Sequence, residues 1–230
     1  MLAHSPSIVM NNLVLCLDAG NSKSYPGSGT TWTDLSGNGN TGTLTNGPTY
    51  SSANGGSMVF DGSNDYVTLG STLNATAQGT ISFWIKLTNT ITSGYAGNQR
   101  PWGKSGNFEC RWGGNGGEND RRLSFDIGAS SNPGSISSIQ DTWLNTVWYN
   151  VAMTYNSSTN SSSLYIQGVL DTTGTAANPS TQVGAWNIGA TSSTAGPVNG
   201  QISNFSIYNR ALSAAEVSQN FNALRSRFSI

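Results

Sequence analysis

The chain has 230 residues, of which 9% are charged and 10% aromatic, with seven Trp and a formal net charge of −1. That length suits one large all-β domain or two small ones, and the aromatics exclude a disordered chain, which needs high charge and few of them. A charge near zero offers no field to a nucleic-acid backbone, and no apolar run reaches the ~20 residues that cross a bilayer, so neither nucleic acid nor membrane is expected as a partner.

The start, Met1-Leu2-Ala3-His4-Ser5-Pro6, lacks the basic and apolar regions of a secretory signal, so synthesis in a cytoplasm is expected. Without export a disulfide is not favoured. Cys16 and Cys110 are therefore expected as free thiols, and the sequons at Asn74, Asn156, Asn160 and Asn204 carry little weight. Residues 1–12 read as an N-terminal extension and 13–230 as a single domain.

Leu13 to Ala19 alternates as a first strand and ends in the turn composition Asp18-Ala19-Gly20-Asn21. From Ser22 to Pro48 the chain is mostly Gly, Ser, Thr and Asn, a long loop with Trp32 and Leu35 as its expected anchors. Met58-Val59-Phe60 and Tyr66-Val67-Thr68-Leu69 then flank a polar corner, predicting two strands joined by a tight turn. Asp61, Asn64 and Asp65 on that corner supply the hard oxygens calcium takes; the same side chains also suit capping of the turn.

Ile81, Phe83, Ile85 and Leu87 fall on one face of a strand, with Ser82, Trp84 and Lys86 on the other. Leu123, Phe125 and Ile127 repeat the pattern, as do Tyr149, Val151, Met153 and Tyr155. Leu164 to Leu170 reads as a hairpin turning at Gln167-Gly168. The last strand, Gly200 to Arg210, leads into a helix marked by the capping box Ser213 and Glu216, with Leu212 and Val217 as a staple.

The stretch at about 94–122 breaks this rhythm and reads as an insertion. It holds eight of the chain's charged residues together with Tyr95, Trp102, Phe108 and Trp112. Tyr95, Arg100, Trp102, Arg111 and Trp112 are the candidate partner-binding residues, since aromatic faces stack on sugar rings and Arg bonds hydroxyls. The alternative is that these aromatics anchor a long loop on its own domain.

Several catalytic plans lack their parts. His4 is the only histidine, so a Ser-His-Asp or Cys-His arrangement has no base, and a structural zinc site has too few ligands. No phosphate-cradling Gly-rich loop leads into the helix, which opens Ser-Ala-Ala-Glu.

Five stretches in order carry a family likeness: Ser57-Met58-Val59-Phe60-Asp61-Gly62 with Asp65-Tyr66-Val67, Ile81 to Lys86, Trp148 to Tyr155, Leu164-Tyr165-Ile166-Gln167-Gly168, and Ile207 to Glu216. Together they resemble the concanavalin A-like lectin and glucanase superfamily, more closely its laminin G-like branch. The resemblance spans roughly Leu13 to Phe228. It implies an all-β fold, an antiparallel β-sandwich of jelly-roll type with one short C-terminal amphipathic helix and one sheet curved into a concave face. Calcium near sheet rims is known among such relatives, so the resemblance supports calcium as the one cofactor option.

The superfamily includes glycoside hydrolases, which use a Glu-x-Asp-x-x-Glu strand to place two carboxylates on one face. Glu109, Glu118 and Glu216 are the only Glu here, and none lies in that motif, so no enzyme is expected. Leu13 to Asp18 and Trp32 to Gly37 look most like versions found in tailed-bacteriophage virion proteins. That likeness implies a virion surface protein made in the host cytoplasm: a capsid decoration protein, or else a tail or fibre component. Other virion proteins, a homo-oligomer and cell-surface glycans are its expected partners; the alternative is a lectin-like adhesion module.

Overall fold

Apolar side chains recurring at every second position set most of the strands, because successive residues of an extended chain point to opposite faces. The computed structural model describes residues 6–70, 73–91, 99–104, 108–113, 121–128, 134–181, 184–191 and 196–230. The early strands are β1 (Leu13–Asp18), β2 (Thr31–Trp32), β3 (Gly42–Thr45), β4 (Thr49–Ser51), β5 (Ser57–Asp61), β6 (Tyr66–Leu69) and β7 (Gln78–Leu87). Then come β8 (Trp102–Lys104), β9 (Phe108–Trp112), β10 (Leu123–Ile127), β11 (Gly134–Ser137) and β12 (Tyr149–Asn156). The series ends with β13 (Ser161–Ile166), β14 (Val169–Gly174), β15 (Trp186–Ile188) and β16 (Asn199–Tyr208), followed by the helix α1 (Ala214–Leu224).

Two antiparallel sheets result. The first has the order β14-β13-β12-β7-β16-β5-β4, with β1 also paired to β16; the second has the order β11-β10-β9-β8-β15-β6-β3-β2. The fold is the jelly-roll β-sandwich with one C-terminal α-helix that the family resemblance implies. Its core is the inward side of both sheets: Ile81, Phe83 and Ile85 of β7 and Val151 and Met153 of β12 join Trp102, Phe108, Phe125 and Trp186 in one cluster. Phe108 meets Tyr155 across the two layers with ring centroids 5.6 Å apart. Cys16 and Cys110 are both buried and unpaired.

The outer face of the first sheet is mixed, with Ser82, Asn150, Asn204 and Ser206 beside Trp84, Ala152 and Tyr208, and part of it is covered. Ser213 and Glu216 form the reciprocal capping box that starts α1. Leu212 and Val217 then pack with Cys16, Ala152, Tyr165 and Tyr208. Trp84, which points out of the core, stacks on Phe228 at 4.1 Å and Phe221 at 5.6 Å. The hairpin between β13 and β14 turns at Gln167 and Gly168, with φ of 54° and 73°. Positive φ at both central positions is the twist that a two-residue hairpin requires.

Three expectations change. The Ser57–Gly70 stretch is not a paired hairpin: β5 pairs with β4 and β16 in the first sheet, whereas β6 pairs with β3 and β15 in the second. Its polar corner carries the chain from one layer to the other. The Ser22–Pro48 stretch contains β2 and β3, with Trp32 fully buried and Leu35 packed against the outer cluster. Within 94–122, where an insertion was expected, β8 and β9 run through the middle of the second sheet.

Candidate ligand-binding face

The outer face of the second sheet is built of the residues that alternate with the core. On β9, Phe108, Cys110 and Trp112 are fully buried toward the interior, so Glu109 and Arg111 project outward; on β10, Asp126 and Ser124 do the same. Strand register then aligns one outward residue per strand. Thr31, Thr43, Thr68, Asn187, Gly103, Glu109, Asp126 and Ser135 form a continuous row across all eight strands. Every member is polar or glycine.

One end of the row is charged. Arg100 Nε donates to Glu109 Oε2 at 2.9 Å, and Arg111 donates to Asp126 Oδ2 from Nε at 3.0 Å and lies 3.5 Å from Glu109 Oε1. Glu109 and Asp126 are only 9% and 6% exposed. Burial pushes the Glu109 carboxyl above its usual range, against the pull of the two guanidinium groups. Beside them, the Ser124 and Ser137 hydroxyls are 2.7 Å apart.

Two acceptor oxygens in this row, Asp126 Oδ1 and Asn187 Oδ1, are buried without a hydrogen-bond partner among the described residues. Buried oxygens of this kind call for a donor, and a buried carboxylate oxygen does so most strongly. Asn187 Nδ2 donates to Thr191 O at 2.7 Å, holding the following loop across the row. Gly103 makes room for that loop, since a Cβ there would lie 2.1 Å from Thr191 Cγ2. The opposite end of the row, at Thr31 and Thr43, is exposed to solvent.

The candidate residues named from the sequence divide. Arg100 and Arg111 come together, with Glu109 between them. Trp102 and Trp112 do not join them: both are 0% exposed and lie in the core, so they present no face to a partner. Their positions alternate with Gly103 and Arg111, which puts them inside wherever the charged side chains are outside. Tyr95 lies outside the described residues. Lys104 also points inward, its Nζ donating to Leu73 O at 3.1 Å and Gly184 O at 2.7 Å, and desolvation lowers its pKa.

At the calcium candidate, Asp65 Oδ2 accepts the Asp61 N–H at 3.1 Å and Asp61 Oδ1 accepts the Ser63 N–H at 2.8 Å. Asn64 contributes its carbonyl to Asn46 Nδ2. Burial raises the Asp65 pKa, with the neighbouring Asp61 charge adding to the rise. These donors fit a self-capped corner rather than a calcium cage. Among the described residues, no three His, Cys, Asp or Glu side chains are grouped to hold a metal.

Sequence reasoning missed Asp126, Asn187, Thr43 and Thr68. The signal for Asp126 was present in Leu123-Ser124-Phe125-Asp126-Ile127, whose alternation sends the acid outward. The others become neighbours only through strand order. Tyr66 on β6, opposite Thr45, is half-buried and supplies an aromatic ring beside the row.

Known proteins share this architecture. The binding domain of Paraclostridial Mosquitocidal Protein 1 superposes with a TM-score of 0.69 at 16% identity, covering 93% of this chain and 52% of that one. Domain 4 of AbnA, a GH43 extracellular arabinanase from Geobacillus stearothermophilus solved in complex with arabinotriose, gives 0.68 at 18% identity, with 91% and 98% covered. The botulinum neurotoxin type G receptor binding domain gives 0.61 at 18% identity, with 91% and 51% covered. The chain thus spans about half the length of the two toxin domains. No curated protein sequence matches it. The family profile of the laminin G type, described as concanavalin A-like lectin/glucanases superfamily, matches residues 61–218, a region running from the corner between the sheets into α1. With that match over most of its length and the jelly-roll topology, the chain belongs to the concanavalin A-like lectin/glucanases superfamily.

Proposed function

We propose that the chain is a non-catalytic carbohydrate-binding module that holds a neutral glycan on the outer face of its second sheet. The observation that carries this reading is the eight-strand row of hydroxyl, amide and carboxylate acceptors, open to solvent at its Thr31 and Thr43 end. Sugar hydroxyls are donors of the right kind, and the arabinotriose bound to AbnA domain 4 supports sugar chemistry on this fold. Each carboxylate of the face is committed to a guanidinium, which suits orientation of a ligand better than proton transfer to it. With Tyr66 as the outward-facing aromatic among the described residues of these strands, recognition rests mainly on hydrogen bonds, and affinities on the order of micromolar to millimolar are expected.

A glycan array followed by titration calorimetry tests the reading. A sugar bound by the unaltered chain and lost in Asp126→Ala and in the solvent-exposed Thr43→Glu, with circular dichroism unchanged, supports it. Absence of any bound glycan, or equal binding by both variants, overturns it.

The setting we propose for this module is a bacteriophage virion, as a capsid decoration or tail component carried in several copies and facing cell-surface glycans. Support comes from the N-terminal third, where Leu13–Asp18 and the Trp32–Gly37 loop look like phage virion versions of the fold. Mass spectrometry of purified particles tests it: the chain at a copy number fitting shell or tail symmetry supports the setting, and its absence removes it.

A further inference from the structure

A cavity of about 320 Å³ lies on the other side of the sandwich, between the N-terminal segment, β1, the loop at Leu35 and the C-terminal end of α1. We infer that it is a binding site for a small uncharged amphiphile, an aliphatic or aryl alcohol or amide, separate from the glycan face.

The walls are apolar: Ile8, Met10, Leu13, Leu35 and Leu224 line them, and Met10 is 60% exposed at the rim. Cys16 forms part of the floor, and Asp18, Asn21 and Asn204 gather the polar groups. This volume, with apolar walls and a few polar groups, has the make-up of a preformed small-molecule site.

The cavity is held open by hydrogen bonds. Val9 N–H donates to Asn220 Oδ1 at 2.8 Å, Tyr208 Oη donates to Val9 O at 3.0 Å, and Gln219 Nε2 donates to Ser7 O at 2.8 Å. These pin the N-terminal segment to β16 and α1. Leu35 N–H donates to Cys16 O at 2.8 Å and fixes the opposite wall. The same sheet face is close-packed elsewhere, as the 4.1 Å stack of Trp84 on Phe228 shows. Space left between pinned walls cannot close by a small shift of either.

Charge selects the ligand class. Asp18 is the one charged residue among the described residues lining the cavity, and both its oxygens accept from Arg227 Nη1 at 2.9 Å. A cationic or an anionic ligand finds only this paired, compensated carboxylate and no free counter-charge. Either would leave water without a partner of its own. A hydroxyl or amide head instead matches the Asn21 and Asn204 side chains, while an alkyl or aryl body lies against Ile8, Leu35 and Leu224.

The two thiols supply a reporter. Cys16 is 4% exposed on the cavity floor, with burial pushing its pKa up to about 11, whereas Cys110 is fully buried in the core. The full chain is labelled with uncharged N-ethylmaleimide at mildly alkaline pH in the presence of 1-hexanol, benzyl alcohol, hexanoate or hexylamine, and each thiol is followed by mass spectrometry. The expected result is saturable protection of Cys16 by the two alcohols alone, about tenfold at ten times their Kd, with a matching rise in melting temperature. Ala223→Leu, which fills the cavity, removes both effects. Protection that never saturates, equal protection by the charged compounds, or protection that persists in a folded Ala223→Leu chain overturns the proposal. If that variant does not fold, the thermal shift of the unaltered chain decides: a saturable rise with the alcohols supports the site, and no rise removes it.

Discussion

Glu109 on β9 and Asp126 on β10 stand opposite each other on one rung of the second sheet, and Arg111 is the cation they share. Like charges directly opposite each other on neighbouring strands destabilise a sheet, so this rung depends on its guanidinium. Arg111→Met is expected to cost about 3 kcal/mol at neutral pH by leaving two partly buried carboxylates with too little counter-charge. Glu109 has a raised pKa, so it disfavours folding once ionised, and its protonated form favours folding as pH falls. The Arg111→Met deficit should therefore shrink as pH drops through that raised value, which urea melts at pH 7 and pH 4.5 would measure.

The helix start titrates in the other direction. Hydrogen bonds from Arg210, then from the Ser213 backbone, hold the Glu216 carboxyl down to about 2. A depressed carboxylate stabilises the fold above its unfolded value and loses that contribution as pH falls toward 2. Glu216→Gln should flatten this acid limb, and Ser213→Ala should cost about 1 kcal/mol at pH 7. Denaturant melts between pH 6 and pH 2 are the measurement, and an acid limb unchanged in Glu216→Gln would count against the assignment.

Trp102 and Trp112 test core against surface. Each →Ala variant is expected to lose about 3–5 kcal/mol, the price of emptying a fully buried indole site. Trp112→Phe should keep the fold and leave any glycan affinity unchanged, because the ring never reaches the outer face. Calorimetry on the folded Phe variant would show a selective loss of binding if the ring did reach it.

Calcium addition provides a simple control on the Asp61–Asp65 corner. Since these carboxylates cap their own backbone, calcium at about 2 mM should move the melting temperature by less than about 1 °C. A larger calcium-specific rise, absent with magnesium, would restore the metal reading.

Asp34 organises the loop that precedes β3. Its two oxygens accept from Cys16 N, Ser36 N, Ser36 Oγ and Asn40 N at 2.8–3.0 Å. Removing a buried acceptor orphans several donors at once, so Asp34→Ala should destabilise by about 3 kcal/mol, with Asp34→Asn recovering part of the loss. Thermal melts of the two variants give the comparison.

Local signals were legible where chemistry is local. Ser213 with Glu216 marked the helix start, Gln167-Gly168 marked a hairpin, and the alternation of Ile81 to Leu87 marked a central strand. Partner choice was not legible. The corner at Asp61–Asp65 has the composition of a hairpin turn, yet its flanking strands join different sheets, because pairing depends on residues far along the chain. In 94–122 the scattered charges resembled a solvated loop. Their period-two spacing against Phe108, Cys110 and Trp112 was the stronger signal, since it places charge on one face and core on the other. The row from Thr31 to Ser135 could not be read at all until strand order set its members side by side.

Strand β16 pairs with β7 along one edge and with both β5 and β1 along the other. Its residues are 199–208, so three strands made earlier must wait for a partner that leaves the ribosome well after them. Until then β1, β5 and β7 expose open edges of the kind that recruit other chains. Any product ending before Asn199 therefore keeps its hydrophobic strands and loses what closes them, which makes premature termination an aggregation hazard for this protein rather than a route to a smaller domain.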